Sequence, residues 1–114
     1  MNNISIGNNV LMASKIYISD CLHGSYKGDE KDSSPFSNPI NRAYSKSFVI
    51  IKNNVWIGES VSILPGVTIG EGSLIGANSV ITSDIPDFCI AVGVPARIIK
   101  RFDFKTNSWV RVTN

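Results

Sequence analysis

From Ile51 onward an isoleucine returns at every sixth residue: Ile51, Ile57, Ile63, Ile69, Ile75 and Ile81. Four places after each stands a second column of small or β-branched residues: Val55, Val61, Val67, Ser73, Ser79 and Ile85. The same columns appear near the N-terminus, with Ile6, Met12 and Ile18 in the first and Val10, Ile16 and Leu22 in the second. Nine hexads fit this one template. A helix is excluded, because six is not a multiple of 3.6 and the Gly and Asn content is costly inside helices. A hairpin meander does not turn at such short, even spacing. A short strand followed by a tight corner does, with β-branched residues on the flats and Gly or Asn at the corners. The pattern therefore predicts an all-β parallel β-helix of the hexapeptide class, with an aliphatic column buried along its axis. The period alone does not set the handedness.

The two repeat blocks are out of phase, since Ile18 and Ile51 stand thirty-three residues apart. The mismatch falls in GSYKGDEKDSSPFSNPINRAYSK, a stretch rich in Ser, Pro, Asn and charge. It reads as a loop extruded between coils, either a mobile insertion or a lid or subunit-bridging loop. After Pro86 the repeat stops. One more extended run and a Val-Pro turn precede a segment with Ile98, Ile99 and Phe102 on one side and Arg97, Lys100 and Arg101 on the other. A short terminal helix or cap is expected there, closing the open end of the solenoid. The expected organisation is a single β-helix domain over 1–114, with coils at about 4–23 and 48–86, an extruded loop at about 24–47 and a strand or cap at 87–114.

Composition narrows the picture. The 114 residues leave room for one domain, and the 43% hydrophobic share supports a core that is small if the chain stays alone. Outward residues such as Leu74 and Val80 point to association, which a homotrimer would satisfy. A net charge of +2 with no dense Lys/Arg tract argues against nucleic acid. No apolar run is long enough to span a bilayer, and Met1 is followed by polar Asn2 and Asn3. Cys21 and Cys89 have neither disulfide-framework density nor metal-ligand spacing, so a reducing, cytoplasmic setting is expected and no metal site. There is no phosphate-loop motif and no His/Cys cluster for zinc.

The stretch NNVWIGESVSILPGVTIGEGSLIGANSVITSDIP, with CIAVGVPARIIK after it, resembles the C-terminal half of the hexapeptide-repeat O-acetyltransferases. The segment ISDCLHGSYKG resembles the one just before their extruded loop. The maltose, galactoside and polysaccharide groups are the most similar by pattern, over roughly Ile4 to Lys100. The resemblance implies a left-handed β-helix, a trimer, acetyl-coenzyme A as donor, a sugar or saccharide hydroxyl as acceptor, and an active site between neighbouring subunits. It also implies that Trp56 lines the pantetheine and acceptor region, and that Ala77 contacts the pantetheine arm through its backbone. Thr82 and Ser83 match the next stretch along the coenzyme, although relatives usually carry Lys where Ser83 stands. Arg97 and Lys100 match the basic positions near its phosphates, where a guanidinium fork and a mobile ammonium suit the ligand.

Two departures stand out. Polysaccharide-type relatives usually read Asp-His-x-His-Gly, and the first histidine is the catalytic one. Here the order is Asp20-Cys21-Leu22-His23-Gly24, with Cys21 in the expected place. Full-length relatives also have further coils, and often a helical segment, before the position of Ile4. The chain is then a minimal version, a fragment or a degenerate descendant, and a non-catalytic trimeric scaffold or coenzyme-binding remnant stands as the alternative to an enzyme.

Acetyl transfer to a hydroxyl needs a base, and imidazole suits it with an unperturbed pKa of about 6.5. His23 is the only histidine. Residues two apart on a strand share a face, so His23 and Cys21 address the same cleft. Asp20 is the nearest carboxylate for orienting the ring. Cys21 as an acyl-carrying nucleophile is the alternative, less suited to a fold that holds both substrates at once.

Overall fold

The computed structural model describes residues 3–113. At every sixth position of the repeat block the backbone turns through the left-handed region: φ is 60° at Asn54, 57° at Ser60, 85° at Gly66, 69° at Gly72 and 62° at Asn78. Gly carries no penalty there and Asn little, which explains the polar, small residues of the hexad. Between corners lie strands of two or three residues.

The first coil holds β1 (Ile4–Ile6), β2 (Leu11–Met12) and β3 (Tyr17–Ile18). The second holds β6 (Val49–Ile51), β7 (Trp56–Ile57) and β8 (Ser62–Ile63), and the third β9 (Thr68–Ile69), β10 (Leu74–Ile75) and β11 (Val80–Ile81). All stack in parallel, and Ile51 pairs with Ile69, Ile57 with Ile75 and Ile63 with Ile81. Three hexads thus close one coil and build three sheets: sheet one is β1-β6-β9, sheet two begins β2-β7-β10, and sheet three is β3-β8-β11.

Both columns expected from the sequence point inward. All six isoleucines from Ile51 to Ile81 are at most 1% exposed, and Val55, Val61, Val67, Ser73, Ser79 and Ile85 are buried beside them. The first coil is less covered. Val10, Met12, Ile16 and Ile18 are half-buried, while Ile6 is 49% exposed, because no coil of the described residues lies beneath them.

The third hexad, Ile18 with Leu22, does not complete the template. The chain leaves the coil at Ser19 and Asp20, and Leu22 is 46% exposed rather than stacked in the second column. It lies in β4 (Cys21–His23), which pairs antiparallel with β5 (Tyr44–Lys46) to form an arm projecting from the solenoid. Antiparallel pairing needs a returning strand, which a coil does not supply. The extruded loop beyond the arm is stitched internally. Asp32 accepts from the N–H groups of Lys27 and Gly28 at 2.8 Å each, and Arg42 donates to Ser37 Oγ, Tyr26 Oη and the Ser37 carbonyl at 2.9 Å each.

Among the described residues no terminal helix forms. Sheet two is instead extended by β12 (Cys89–Gly93), parallel to β10, and then by β13 (Ala96–Asp103) and β14 (Ser108–Arg111), both antiparallel. The connection from β12 to β13 passes through a cis Val94–Pro95 bond. Across the top, Phe88, Phe104, Phe102 and Trp109 make successive edge-to-face contacts with centroids 4.8–5.3 Å apart. The helix-like spacing of Arg97 and Lys100 has a strand explanation. The register shifts between Ile90 and Ala91, so Lys100 pairs with Ile90 and Arg97 with Val92. This irregularity leaves two residues three apart on the same outward face.

Candidate active site

The arm gathers the reactive side chains of the N-terminal block. In β4, Cys21 and His23 share one face; across the pairing Lys46 stands opposite Cys21 and Tyr44 opposite His23. The His23 ring is exposed and meets Tyr44 edge-on, with centroids 5.1 Å apart and planes inclined by 64°. The His23 carbonyl accepts a hydrogen bond from Tyr26 Oη at 2.7 Å. Lys46 Nζ lies 5.8 Å from the Tyr44 ring centre. Hydrogen bonding with the Cys21 side chain holds the Tyr44 phenol above its ordinary value, reinforced by desolvation and by the charges of Cys21 and Asp20. Leu22 and Ser45 face the other way and help line a cavity of ≈360 Å³ under the loop, with Tyr26 and Lys27.

Asp20 is only 2% exposed and turns away from this face. Its Oδ2 accepts from the Asn3 N–H at 3.2 Å, its carbonyl accepts from Ser47 N–H at 2.8 Å, and among the described residues it makes no hydrogen bond to His23. Cys21 is half-buried, and its amide and carbonyl are both bonded to the Ser19 hydroxyl at 3.4 and 3.2 Å.

The residues matched to coenzyme positions lie elsewhere. Trp56 is outward on sheet two and 52% exposed, because its neighbour Ile57 takes the inward place. Leu11 and Leu74 flank it in register, followed by Ile90 and Lys100. Beside this column runs a strip of small residues, Ala13, Gly58 and Gly76, each donating its N–H to the neighbouring coil at 2.8–3.0 Å. A Cβ on Gly58 would stand 2.8 Å from the Ala77 nitrogen, and one on Gly76 2.6 Å from Val92 Cγ1. Tight stacking of coils thus demands glycine there and leaves a low strip next to the indole. Arg97, exposed at the end of this strip, donates only to the Ala96 carbonyl among the described residues, at 3.2 Å.

Ala77 is exposed at the corner between sheets two and three, directly over Gly58. Thr82 and Ser83 are exposed at the corner between sheets three and one, which Asp84 braces by accepting the Thr68 N–H at 2.8 Å. The arm with His23 leaves from that same corner in the first coil. A single chain therefore groups Trp56, Ala77, Arg97 and Lys100 on and beside sheet two, and sets His23 and Cys21 on another edge. No hydrogen bond joins the arm to sheet two among the described residues.

Tyr44, Lys46 and Tyr26 were not legible as site residues. Their relation to His23 depends on a pairing across the whole loop, and AYSK reads locally as the end of a polar stretch. Among the described residues, no group of three or more His, Cys, Asp or Glu is placed to hold a metal ion. Among the described residues, no helix is long and apolar enough to cross a membrane.

Hexads wound into three parallel sheets, with a projecting arm and an antiparallel C-terminal segment, define a hexapeptide left-handed β-helix, and the comparisons agree. Residues 48–83 match the family described as bacterial transferase hexapeptide (six repeats). The chain carries this hexapeptide repeat and is similar to the hexapeptide-repeat acetyltransferases over most of its length. It is 43% identical over 109 residues to WbbJ of Escherichia coli K12, provisionally a lipopolysaccharide biosynthesis O-acetyl transferase, covering 96% of this chain and 56% of that protein. The crystal structure of a maltose O-acetyltransferase from Clostridium difficile 630 matches with a TM-score of 0.72 and 40% identity, over 88% of this chain and 49% of that one. A galactoside acetyltransferase in complex with coenzyme A matches with a TM-score of 0.74 and 36% identity, over 97% of this chain and 53% of that one. The chain thus spans about half the length of the relatives it matches.

Proposed function

We propose that the protein is an acetyl-coenzyme-A-dependent O-acetyltransferase acting on a sugar or saccharide hydroxyl, as a homotrimer of single β-helix domains with its active sites between subunits. The observation that carries this reading is the division of the candidate residues between two edges of one prism. Trp56, the small-residue strip and the cations Arg97 and Lys100 share one side, while the sole imidazole, His23, projects from another edge. Packing prisms side by side around an axis brings such edges face to face. The exposed apolar column Leu11–Trp56 and the half-buried Leu74 and Ile90 favour such an association.

The residues present fit the donor. The strip of Ala13, Gly58 and Gly76 admits a thin chain beside an indole, and two cations on the same outward face suit a phosphate-rich end. Ala77 borders this strip, while Thr82 and Ser83, on the arm's edge, would meet the coenzyme across the subunit boundary. When bound, the donor supplies an acetyl group activated as a thioester. His23 takes the proton of the attacking hydroxyl as the new C–O bond forms and the C–S bond breaks, and returns that proton to the departing thiolate. The donor's intracellular supply places the reaction in the cytoplasm.

A second reading, a trimeric module that binds coenzyme A without transferring, is favoured by Cys21 at the place where relatives carry the catalytic histidine. The deciding experiment is thiol release from acetyl-coenzyme A over a panel of sugars, with calorimetry for coenzyme A and light scattering for the oligomer. Acceptor-dependent release supports the enzyme; binding without release supports the module. A monomer at micromolar concentration would defeat the intersubunit site in both.

A further inference from the structure

We propose that Tyr44 is a positioning residue for His23, holding the imidazole in the one orientation in which it meets the acceptor hydroxyl; this rests on the reading of His23 as the base. An exposed side chain on a narrow two-stranded arm has little to fix it. Its χ1 has three staggered wells, and χ2 of an imidazole is broad. A general base, by contrast, must sit within hydrogen-bond reach of the proton it removes, and a misplacement of about 1 Å costs up to about 10²-fold in rate. The arm needs a constraint on the ring, and Asp20 does not provide it, being buried and bonded to the Asn3 amide.

Tyr44 does. It is the direct cross-strand partner of His23, and its ring meets the imidazole edge-on with centroids 5.1 Å apart, inside the range in which such pairs attract. Tyr44 is itself held. Its backbone is fixed by the β4–β5 pairing, and Lys46 Nζ stands 5.8 Å from its ring centre. The backbone of His23 is fixed independently, because Tyr26 Oη donates to its carbonyl at 2.7 Å and Arg42 Nη1 donates to that Tyr26 oxygen at 2.9 Å. The loop therefore fixes where His23 starts, and Tyr44 fixes where its ring points.

His23 is the only histidine of the chain, so its carbon-bound ring protons give isolated NMR signals. In the intact protein they should be displaced by the Tyr44 ring current and show cross-relaxation to the Tyr44 ring protons. Tyr44→Ala should return them toward free-imidazole positions and lower kcat about 10-fold to 100-fold, with KM for donor and acceptor within about two-fold. Tyr44→Phe keeps the ring edge and should restore both signals and kcat. Unshifted imidazole signals in the intact protein overturn the proposal, whether or not transfer is detected. So does a Tyr44→Ala variant with full kcat, or a Tyr44→Phe variant as impaired as Tyr44→Ala, which would assign the role to the hydroxyl. His23→Ala separates the two claims: full activity there sinks the base assignment, whereas loss there with an active Tyr44→Ala sinks only the positioning role.

Discussion

The hydroxyl of Ser73 accepts the backbone N–H of Cys89 at 3.1 Å and donates to the Pro86 carbonyl at 2.8 Å, in a column where the coil below carries Val55. One hexad later the Ser79 hydroxyl likewise accepts a backbone N–H, that of Gly93 at 3.0 Å. The change from valine to serine marks the top of the solenoid. There the chain no longer completes an eighteen-residue coil, and its backbone needs partners from below.

Ser73→Val should therefore destabilise the protein even though valine matches the column. It strands the buried Cys89 N–H, at a cost of about 1–3 kcal/mol. Equilibrium urea unfolding reads this directly, and Val61→Thr on a lower coil, where no terminal backbone waits, separates polarity from bonding. An unchanged midpoint for Ser73→Val would show that the cap is held by its aromatic contacts alone.

Removal of the proposed base, His23, is the second prediction. His23→Ala should lower acetyl transfer by about 10²–10⁴ with coenzyme A affinity intact. Cys21→Ser should be mild, since a thiol with a typical pKa of about 8.5 is mostly protonated at neutral pH and makes a poor base. Cys21→His provides the contrast. Activity gained there, with no effect of His23→Ala, would identify a lapsed enzyme.

The outward cations make the third. Arg97→Ala should weaken coenzyme A by about tenfold, roughly 1.4 kcal/mol, and Lys100→Ala by less, since an ammonium is not a bidentate fork. Dephospho-coenzyme A should narrow the difference between wild type and variant in calorimetry. Equal affinities of wild type and Arg97→Ala for coenzyme A would remove the phosphate role.

Asp32 supplies a pH prediction. Desolvation raises its carboxyl pKa, but the N–H groups of Gly28, Lys27 and Asp29 and the Ser25 hydroxyl outweigh this and leave it below its ordinary 3.8. A depressed carboxylate contributes its stabilisation fully above the ordinary value, and loses it as pH falls through the lowered one. The amide protons of Lys27 and Gly28 should accordingly titrate with a midpoint below 3.8. A midpoint at or above that value would mean that the turn does not hold the carboxylate.

The sequence by itself determined the solenoid, its two buried columns and its corners. A hexad repeats the same local choice, one inward isoleucine and one small residue at a left-handed corner, and stacking like on like makes that choice cumulative. It also marked Trp56 as outward, since the residue beside an inward isoleucine has nowhere else to point. Tertiary structure decided what depends on pairing between distant segments. Leu22 fits the column by spacing, yet leaves the coil because β5 returns antiparallel from across the loop. Arg97 and Lys100 have helical spacing, yet share a face through a register shift opposite Ile90 and Ala91. Asp20 neighbours His23 in the chain but bonds the Asn3 amide, while Tyr44, twenty-one residues from His23, meets its ring. Period is a local property and was legible; cross-strand register is set by which distant strand arrives opposite, and no local pattern encodes it.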